Sequence, residues 1–207
     1  MTLTAATRPA AEPEHGALVL FHGRGADEHD LLPLLDALDP LKRLDGFCPR
    51  APLTLPPGGA HWYVVPRVGY PDPETFAEGY AAAAEFVDSL PHSRIVLGGF
   101  SQGAVMALAL GLGRGRPRPT AVIAFSGFIP EVDGWELESE HELPPVAIAH
   151  GMHDAVIPVE FARRARERLR EVGAEHVVYR ETPMGHAIHP EIVDELSGWL
   201  WREISWH

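Results

Sequence analysis

A serine in the middle of the chain has the neighbours of an activated nucleophile. Ser101 lies in the pentapeptide GFSQG, residues 99–103, which fits the pattern G-x-S-x-G. In that pattern a sharp turn from a strand into a helix strains the backbone and lifts the serine hydroxyl clear of the sheet. One match is weak evidence in a chain with 20 glycines. Here an apolar β-branched run at 95–97 precedes it and strong helix formers follow at 104–110, so we predict that Ser101 is a nucleophile.

Three aspartates follow Ser101 and are candidates for the acid of a catalytic triad. A serine hydroxyl is a weak nucleophile at neutral pH, so it needs a histidine base and an acid that orients this base. Asp194 falls on a predicted helix face, and Asp133 lies in the turn-like stretch EVDGW. Asp154 directly follows the predicted strand PVAIAH, at the end where open α/β sheets place their sites. We therefore predict Asp154 as the acid, with helix or turn capping as the alternative.

The general base is expected among the histidines near the end of the chain. His186 lies in TPMGHAIHP, between the last predicted strand and the last predicted helix. We predict His186 as the base, because an imidazole with a pKa of about 6.5 can accept and return a proton near neutral pH. His189 is a rival, but it is expected to begin the helix. A metal site made of His150, His153 and His186 is disfavoured because no glutamate or cysteine completes the ligand set, so we predict no metal.

Attack on a carbonyl creates an oxyanion, which needs two backbone N–H donors. The N–H of Gln102, immediately after the serine, is the first candidate. The second is expected in the loop after an early strand, where the run ALVLF is followed by HGRG at 22–25. The glycines allow this loop to turn its N–H groups into a cleft, so we assign the second donor to the backbone of Arg24. A turn that only caps the next helix is the alternative.

Apolar runs alternate with amphipathic segments along the chain, and this alternation must place the reactive residues. The predicted strands are at 17–21, 94–100, 120–126, 145–150 and 176–181. The predicted helices are at 27–38, 74–90, directly after Ser101, at 158–173 and at 189–204. This order predicts an α/β fold with a single mostly parallel sheet and helices on both faces. The Pro- and Gly-rich stretch at 46–73 is predicted to begin with a strand and then to form a wall of the substrate cleft.

Length and composition restrict the setting in which this chemistry takes place. The 207 residues suit one core, so we predict a single domain at 16–207 after a disordered lead-in at 1–15. The formal net charge of -12 argues against nucleic acid and against anionic membranes as partners. No apolar run is long enough for stable membrane insertion, and a monomer or homodimer is expected. The single Cys48 and the absence of a signal-like start predict a cytoplasmic protein.

Five motifs together resemble a known family. LFHGRGAD, GGFSQGAVMALAL, AFSGFIP, HGMHDAVIP and GHAIHPE, in this order, are similar to the phospholipase/carboxylesterase family of small α/β-hydrolases, relatives of acyl-protein thioesterases. The resemblance extends from about residue 16 to the C-terminus. It implies an α/β-hydrolase fold, a triad of Ser101, Asp154 and His186, and oxyanion donors at Arg24 and Gln102. It also implies hydrolysis of carboxylic esters without a cofactor, some members also acting on thioesters or lysophospholipids.

Two features depart from the family pattern. Arg24 stands where the better-known thioesterases carry an apolar residue, and its side chain could face an acidic group of a small-molecule ester substrate. The short N-terminus is expected to omit an antiparallel edge strand. Candidates for the acyl pocket, each with core packing as an equal alternative, are Trp62, Tyr63, Phe128, Ile129, Val156 and Ile157. With no large apolar lid, short or medium acyl chains are expected.

The predicted activity is therefore that of a serine carboxylesterase, with two alternatives. A thioesterase or lysophospholipase would use the same triad and cannot be separated by sequence. A non-catalytic ligand-binding protein of the same fold is the alternative from a different class. The related dienelactone hydrolases usually have a cysteine nucleophile, so Ser101 argues against that branch.

Overall fold

The computed structural model describes residues 3–11 and 15–205 as an alternation of strands and helices. The strands are β1 (Ala5–Arg8), β2 (Ala17–Phe21), β3 (Asp45–Pro49), β4 (Leu53–Leu55), β5 (Gly59–His61), β6 (Ile95–Phe100), β7 (Ala121–Phe125), β8 (Val146–Gly151) and β9 (Val177–Thr182). The helices are α1 (Leu32–Leu38), α2 (Pro73–Asp88), α3 (Gln102–Leu112), α4 (Glu160–Glu171) and α5 (Pro190–Ser205). None of the helices in the described ranges is long and apolar enough to cross a bilayer.

Seven of the strands form one sheet in the order β1-β3-β2-β6-β7-β8-β9. All neighbouring pairs from β3 to β9 are parallel, and only β1 runs antiparallel to β3. The remaining two strands, β4 and β5, pair with each other as a small antiparallel ribbon. The predicted mostly parallel α/β sheet is thereby confirmed.

Hydrophobic cores lie on both faces of this sheet. Along β2, Val19 and Phe21 point into one core and Leu18 and Leu20 into the other, because successive side chains in a strand alternate between faces. Helices α2, α3 and α4 contribute buried residues to the first core, and α1 and α5 contribute to the second. Every residue of α3 is buried. The helix after the predicted nucleophile is therefore the central element of its layer.

The N-terminus differs from prediction. Residues 5–8 form β1, an antiparallel edge strand, although a disordered lead-in without such a strand was expected. Arg8 holds the strand in place: its Nη2 donates to Asp39 Oδ2 and to the carbonyl of Leu44, both at 2.7 Å. These partners are distant in sequence, so the stretch AATR gives no local sign of order. The predicted lead-in also included residues 1, 2 and 12–14, which lie outside the described residues.

The segment before α1 also differs. A helix was predicted over 27–38, but α1 begins at Leu32. Asp27 Oδ1 accepts the backbone N–H of His29 at 2.9 Å, a local bond typical of a turn, which competes with the helical hydrogen bonds. In the stretch at 46–73 the predicted initial strand is β3, and β4, β5 and an irregular loop follow it.

Candidate active site

Ser101 lies at the turn between β6 and α3 with a backbone conformation that is rare for a residue with a side chain. Its φ is 55° and its ψ is -120°, and its N–H donates to the carbonyl of Phe125 at 2.9 Å. A conformation of this kind costs about 1–3 kcal/mol and persists only where the surroundings impose it. At Gly103, an added Cβ would lie 1.9 Å from the carbonyl oxygen of Phe21. The glycine thus allows α3 to approach β2 closely enough to impose the turn.

The three residues of the predicted triad form one continuous hydrogen-bonded chain. His186 Nε2 lies 2.8 Å from Ser101 Oγ, and His186 Nδ1 lies 2.7 Å from Asp154 Oδ2. A carboxylate accepts only, so Nδ1 carries the proton and Nε2 is free to accept the serine hydroxyl proton. Ser101 follows β6, Asp154 follows β8 and His186 follows β9, so all three lie at the carboxyl edge of the sheet. The structure brings the three predicted side chains together.

Asp154 is buried, and its loop is arranged to keep it ionised. Oδ1 accepts the N–H groups of Val156 at 2.9 Å and Ile157 at 2.8 Å, while Oδ2 accepts from His186. Burial disfavours the carboxylate, but the hydrogen bonds from His186 and from the two N–H groups outweigh it, so the pKa of Asp154 lies below its ordinary value of 3.8. An ionised acid is what a neighbouring histidine needs in order to become positively charged during a reaction.

A second histidine supports the acid from the other side. His150 Nε2 lies 2.7 Å from the carbonyl oxygen of Ile157 and 3.3 Å from Asp154 Oδ2. Burial is the main cause that lowers the pKa of His150, so the ring is neutral and Nε2–H is its donor. His150 thereby joins β8 to the loop that carries Asp154.

The residues that were disfavoured as members of the triad are not part of the hydrogen-bonded chain at Ser101. Asp133 and Asp194 are exposed, and the carbonyl of His189 accepts the N–H groups of Ile192 and Val193 at the start of α5, as expected for a residue that begins a helix. His150, His153 and His186 do not converge on one point. In the described part of the chain, Asp27, Glu28 and His29 alone present three ligand atoms close enough for a metal.

The two residues predicted to supply oxyanion donors belong to the same cleft as the serine. Arg24, Ser101 and Gln102 all line it, and the N–H groups of Arg24 and Gln102 donate to no acceptor within residues 3–11 and 15–205. The loop of Arg24 is fixed by its neighbour Gly25, whose N–H donates to the carbonyl of Ala60 at 2.8 Å. Gly25 has a φ of +88°, a conformation that glycine adopts without strain.

A cleft of about 340 Å³ opens over Ser101. Four of the six predicted pocket residues line it: Tyr63, Phe128, Val156 and Ile157. Further lining comes from the loop after β5, namely Val65, Val68, Gly69, Tyr70 and Pro71. The stretch at 46–73 was predicted to form a wall of the cleft, but an irregular loop has no periodicity from which individual lining residues could be chosen.

Trp62 and Ile129 are corrections to the predicted pocket. Trp62 is fully buried and lies outside the cleft lining, because its indole N–H donates to the carbonyl of His22 at 3.0 Å and its ring packs edge-on against Phe21. Ile129 is buried and does not line the cleft; together with Phe128 it lines a neighbouring cavity. Both residues pack in the core, which was the alternative for each.

The side chain of Gln102 has a role that the sequence did not reveal. Its Oε1 accepts the N–H of Trp62 at 2.8 Å, and its Nε2 donates to the carbonyl of Tyr63 at 2.7 Å. These bonds fasten the first turn of α3 to the wall of the cleft. Sequence reasoning considered only the backbone N–H of Gln102, and its side-chain partners lie about 40 positions away.

A parallel sheet that presents a serine on a strained strand-to-helix turn, with a histidine and an aspartate on later loops, defines a serine hydrolase of the α/β-hydrolase fold. Comparison with known proteins agrees with this class. The family model described as Phospholipase/Carboxylesterase matches residues 3–202, and the chain belongs to that family.

Individual relatives are esterases and thioesterases by name. "Acyl-protein thioesterase 1 homolog 1" of Dictyostelium discoideum is 25% identical over 205 residues, covering 90% of each chain. The crystal structure of "esterase PE8" is 28% identical with a TM-score of 0.80, covering 99% of this chain and 100% of that one. The acyl-protein thioesterase 2 of Zea mays is 25% identical with a TM-score of 0.79, covering 97% and 99%. The chain is therefore an enzyme of the serine hydrolase class.

Proposed function

We propose that the chain is a carboxylesterase in which Ser101 is the nucleophile, His186 the general base and Asp154 the acid that orients it. The observation that carries this proposal is the unbroken chain of hydrogen bonds from Ser101 Oγ through His186 to Asp154. Its order and geometry are those that acyl transfer through a serine requires. The strained turn at Ser101 favours the same role, because strain of this kind concentrates at functional sites.

The reaction proceeds in two halves. Ser101 Oγ forms a bond to the ester carbonyl carbon while His186 Nε2 takes the hydroxyl proton, and the carbonyl oxygen becomes an oxyanion that accepts from the N–H groups of Arg24 and Gln102. Breakage of the ester bond leaves an acyl-serine, and the departing alkoxide takes the proton from His186. Water then gives a proton to His186 and attacks the acyl-serine. The tetrahedral intermediate collapses, the bond to Ser101 Oγ breaks and the carboxylic acid leaves, while Oγ takes the proton back from His186.

The cleft favours acyl groups of short or medium length. Its volume of about 340 Å³ is at the low end of the range usual for ligand sites, roughly 300–1,000 Å³. Side chains such as Val68, Phe128 and Ile157 make much of its surface apolar, which suits an acyl chain. The proposed chemistry needs no cofactor. Hydrolysis of thioesters or lysophospholipids is the alternative and would use the same residues; acyl-protein thioesterases are among the named relatives.

A kinetic series tests substrate class and size together. We expect kcat/KM for p-nitrophenyl esters to be highest between about two and eight acyl carbons, since the cleft is small, and to fall by several orders of magnitude in Ser101→Ala. Matched thioesters of the same chain lengths separate the two substrate classes. A preference for chains of sixteen carbons would refute the size argument, and absence of turnover by folded protein would favour a ligand-binding role.

The setting proposed for this enzyme is cytoplasmic, as a monomer or homodimer with one domain. Cys48 is buried and unpaired, and burial raises the pKa of its thiol to about 12, so it is inert rather than part of a disulfide. One continuous sheet from β1 to β9 supports a single folding unit.

A further inference from the structure

Among the residues that line the cleft above Ser101, Arg24 has a charged side chain. Arg24 is exposed, and within the described ranges it makes no ion pair or side-chain hydrogen bond. The other residues of the lining carry no formal charge: Tyr63, Val65, Val68, Gly69, Tyr70, Pro71, Ser101, Gln102, Phe128, Val156 and Ile157. An exposed guanidinium on a residue of this lining, without a partner in the described ranges, is available to an anionic ligand.

The backbone around Arg24 is held firmly, so its side chain starts from a fixed point. Strand β5 is hydrogen-bonded to this loop. The N–H of Gly25 donates to the carbonyl of Ala60, and the N–H of Ala60 donates to the carbonyl of Ala26, both at 2.8 Å. A Cβ at Gly59 would lie only 2.1 Å from the carbonyl oxygen of Gly25. Because the N–H of Arg24 is a proposed oxyanion donor, the side chain begins beside the carbonyl that reacts.

Of the three acidic residues between Arg24 and α1, Asp30 is exposed, and the other two accept hydrogen bonds from groups other than Arg24. Glu28 Oε2 accepts from Arg50 Nη1 at 2.8 Å, and Asp27 Oδ1 accepts the N–H of His29. A second cation stands at the rim, where the guanidinium of Arg67 lies 3.7 Å from the ring centroid of Tyr70, a lining residue. In a chain of net charge -12, two arginines, Arg24 and Arg67, thus belong to or contact the lining of this cleft.

We propose that the cleft binds esters that carry a carboxylate near the scissile bond, and that the Arg24 guanidinium binds this carboxylate. The inference rests on the proposed esterase function. Arginine and carboxylate form paired charge-assisted hydrogen bonds, and the lining contains no carboxylate that would compete for the guanidinium. Apolar contacts in the remaining cleft hold the carbon skeleton of the substrate.

The test compares pairs of substrates that differ in charge alone. On the acyl side, mono-p-nitrophenyl adipate is paired with its uncharged adipamate analogue; on the alcohol side, 4-acetoxybenzoate is paired with 4-acetoxybenzamide. The readout is the ratio of kcat/KM for the anionic and neutral members, which cancels any change common to both. For at least one pair, we expect Arg24→Gln to lower this ratio about tenfold or more, the range of charge-assisted hydrogen bonds.

Two controls make the outcome specific. Arg170→Gln removes the same charge from an exposed position on α4 outside the cleft lining and should leave both ratios unchanged, and Arg24→Lys should retain more of the ratio than Arg24→Gln. Two results would overturn the inference. One is that the ratio of kcat/KM for anionic and neutral substrates is the same in native enzyme and Arg24→Gln for both substrate pairs. The other is that Arg24→Lys and Arg24→Gln lower this ratio equally. Hydrolysis of the neutral substrates that survives Ser101→Ala would overturn the proposed function instead.

Discussion

At the scale of single residues, the site consists of the predicted triad together with the hydrogen bonds that fix the orientation of His186 and Asp154. His186 has one nitrogen fixed by Asp154, and Asp154 has its other oxygen fixed by two N–H groups of its own loop. His150 holds the carbonyl of Ile157 on the same loop. Each proton position is thus determined before a substrate arrives, which is the condition for electrostatic preorganisation.

Asp154→Asn is expected to lower kcat by about four orders of magnitude with the fold retained. The amide has an N–H₂ group that can donate to His186 Nδ1, so the proton moves to Nε2 and the base can no longer accept from Ser101. Steady-state kinetics with circular dichroism as the folding control checks this. Activity within tenfold of native enzyme would contradict the assigned role.

The same variant gives a pH test. The pKa of Asp154 is lower in the folded chain than its ordinary value of 3.8, so the stability contributed by its carboxylate is complete above that value and is lost as pH falls through the folded pKa. The difference in unfolding free energy between native protein and Asp154→Asn should therefore shrink as pH falls below 3.8. A difference that stays constant from pH 6 down to acid unfolding would argue against an ionised Asp154.

At the scale of elements, some strands can be predicted from the local sequence pattern, whereas others depend on contacts with residues far away in the sequence. Strands β6, β7 and β8 lie within one or two residues of their predicted ranges, because buried parallel strands are apolar throughout and the pattern is local. Strand β1 was missed since its order depends on Arg8, whose partners belong to α1 and the loop after it. An edge strand of four residues is therefore anchored by one long side chain in addition to its pairing with β3.

Arg8→Met should lower the free energy of unfolding by about 3–5 kcal/mol, because it leaves the fully buried carboxylate of Asp39 without its cation. Urea denaturation measures the loss, and hydrogen exchange at 5–8 reports whether β1 is released. The matched control is the double variant Arg8→Met with Asp39→Asn. It removes both charges but keeps an amide oxygen that can accept from the N–H of Arg43 or Leu44, so it should recover part of the loss. An unchanged denaturation midpoint in the single variant would contradict this account of the N-terminus.

At the scale of the whole molecule, the sequence located the residues that we propose to react but did not describe the cleft around them. The triad and the oxyanion loop could be located because each lies in a short motif directly after a recognisable strand. The burial of Trp62 and the side-chain hydrogen bonds of Gln102 could not be predicted from the sequence. They depend on contacts that the segment at 61–63 makes with His22 and with the start of α3. The wall of the cleft depends on the same long-range packing, so a substrate size can be proposed only from the folded chain.

Labelling with a fluorophosphonate, followed by intact-mass measurement, tests the central claim most directly. The probe reacts with a serine only where a base and an oxyanion site activate it. We predict one adduct on the native chain and none on Ser101→Ala under the same conditions. An unlabelled native chain that is correctly folded, or an adduct that persists in Ser101→Ala, would contradict the assignment of Ser101 as the nucleophile.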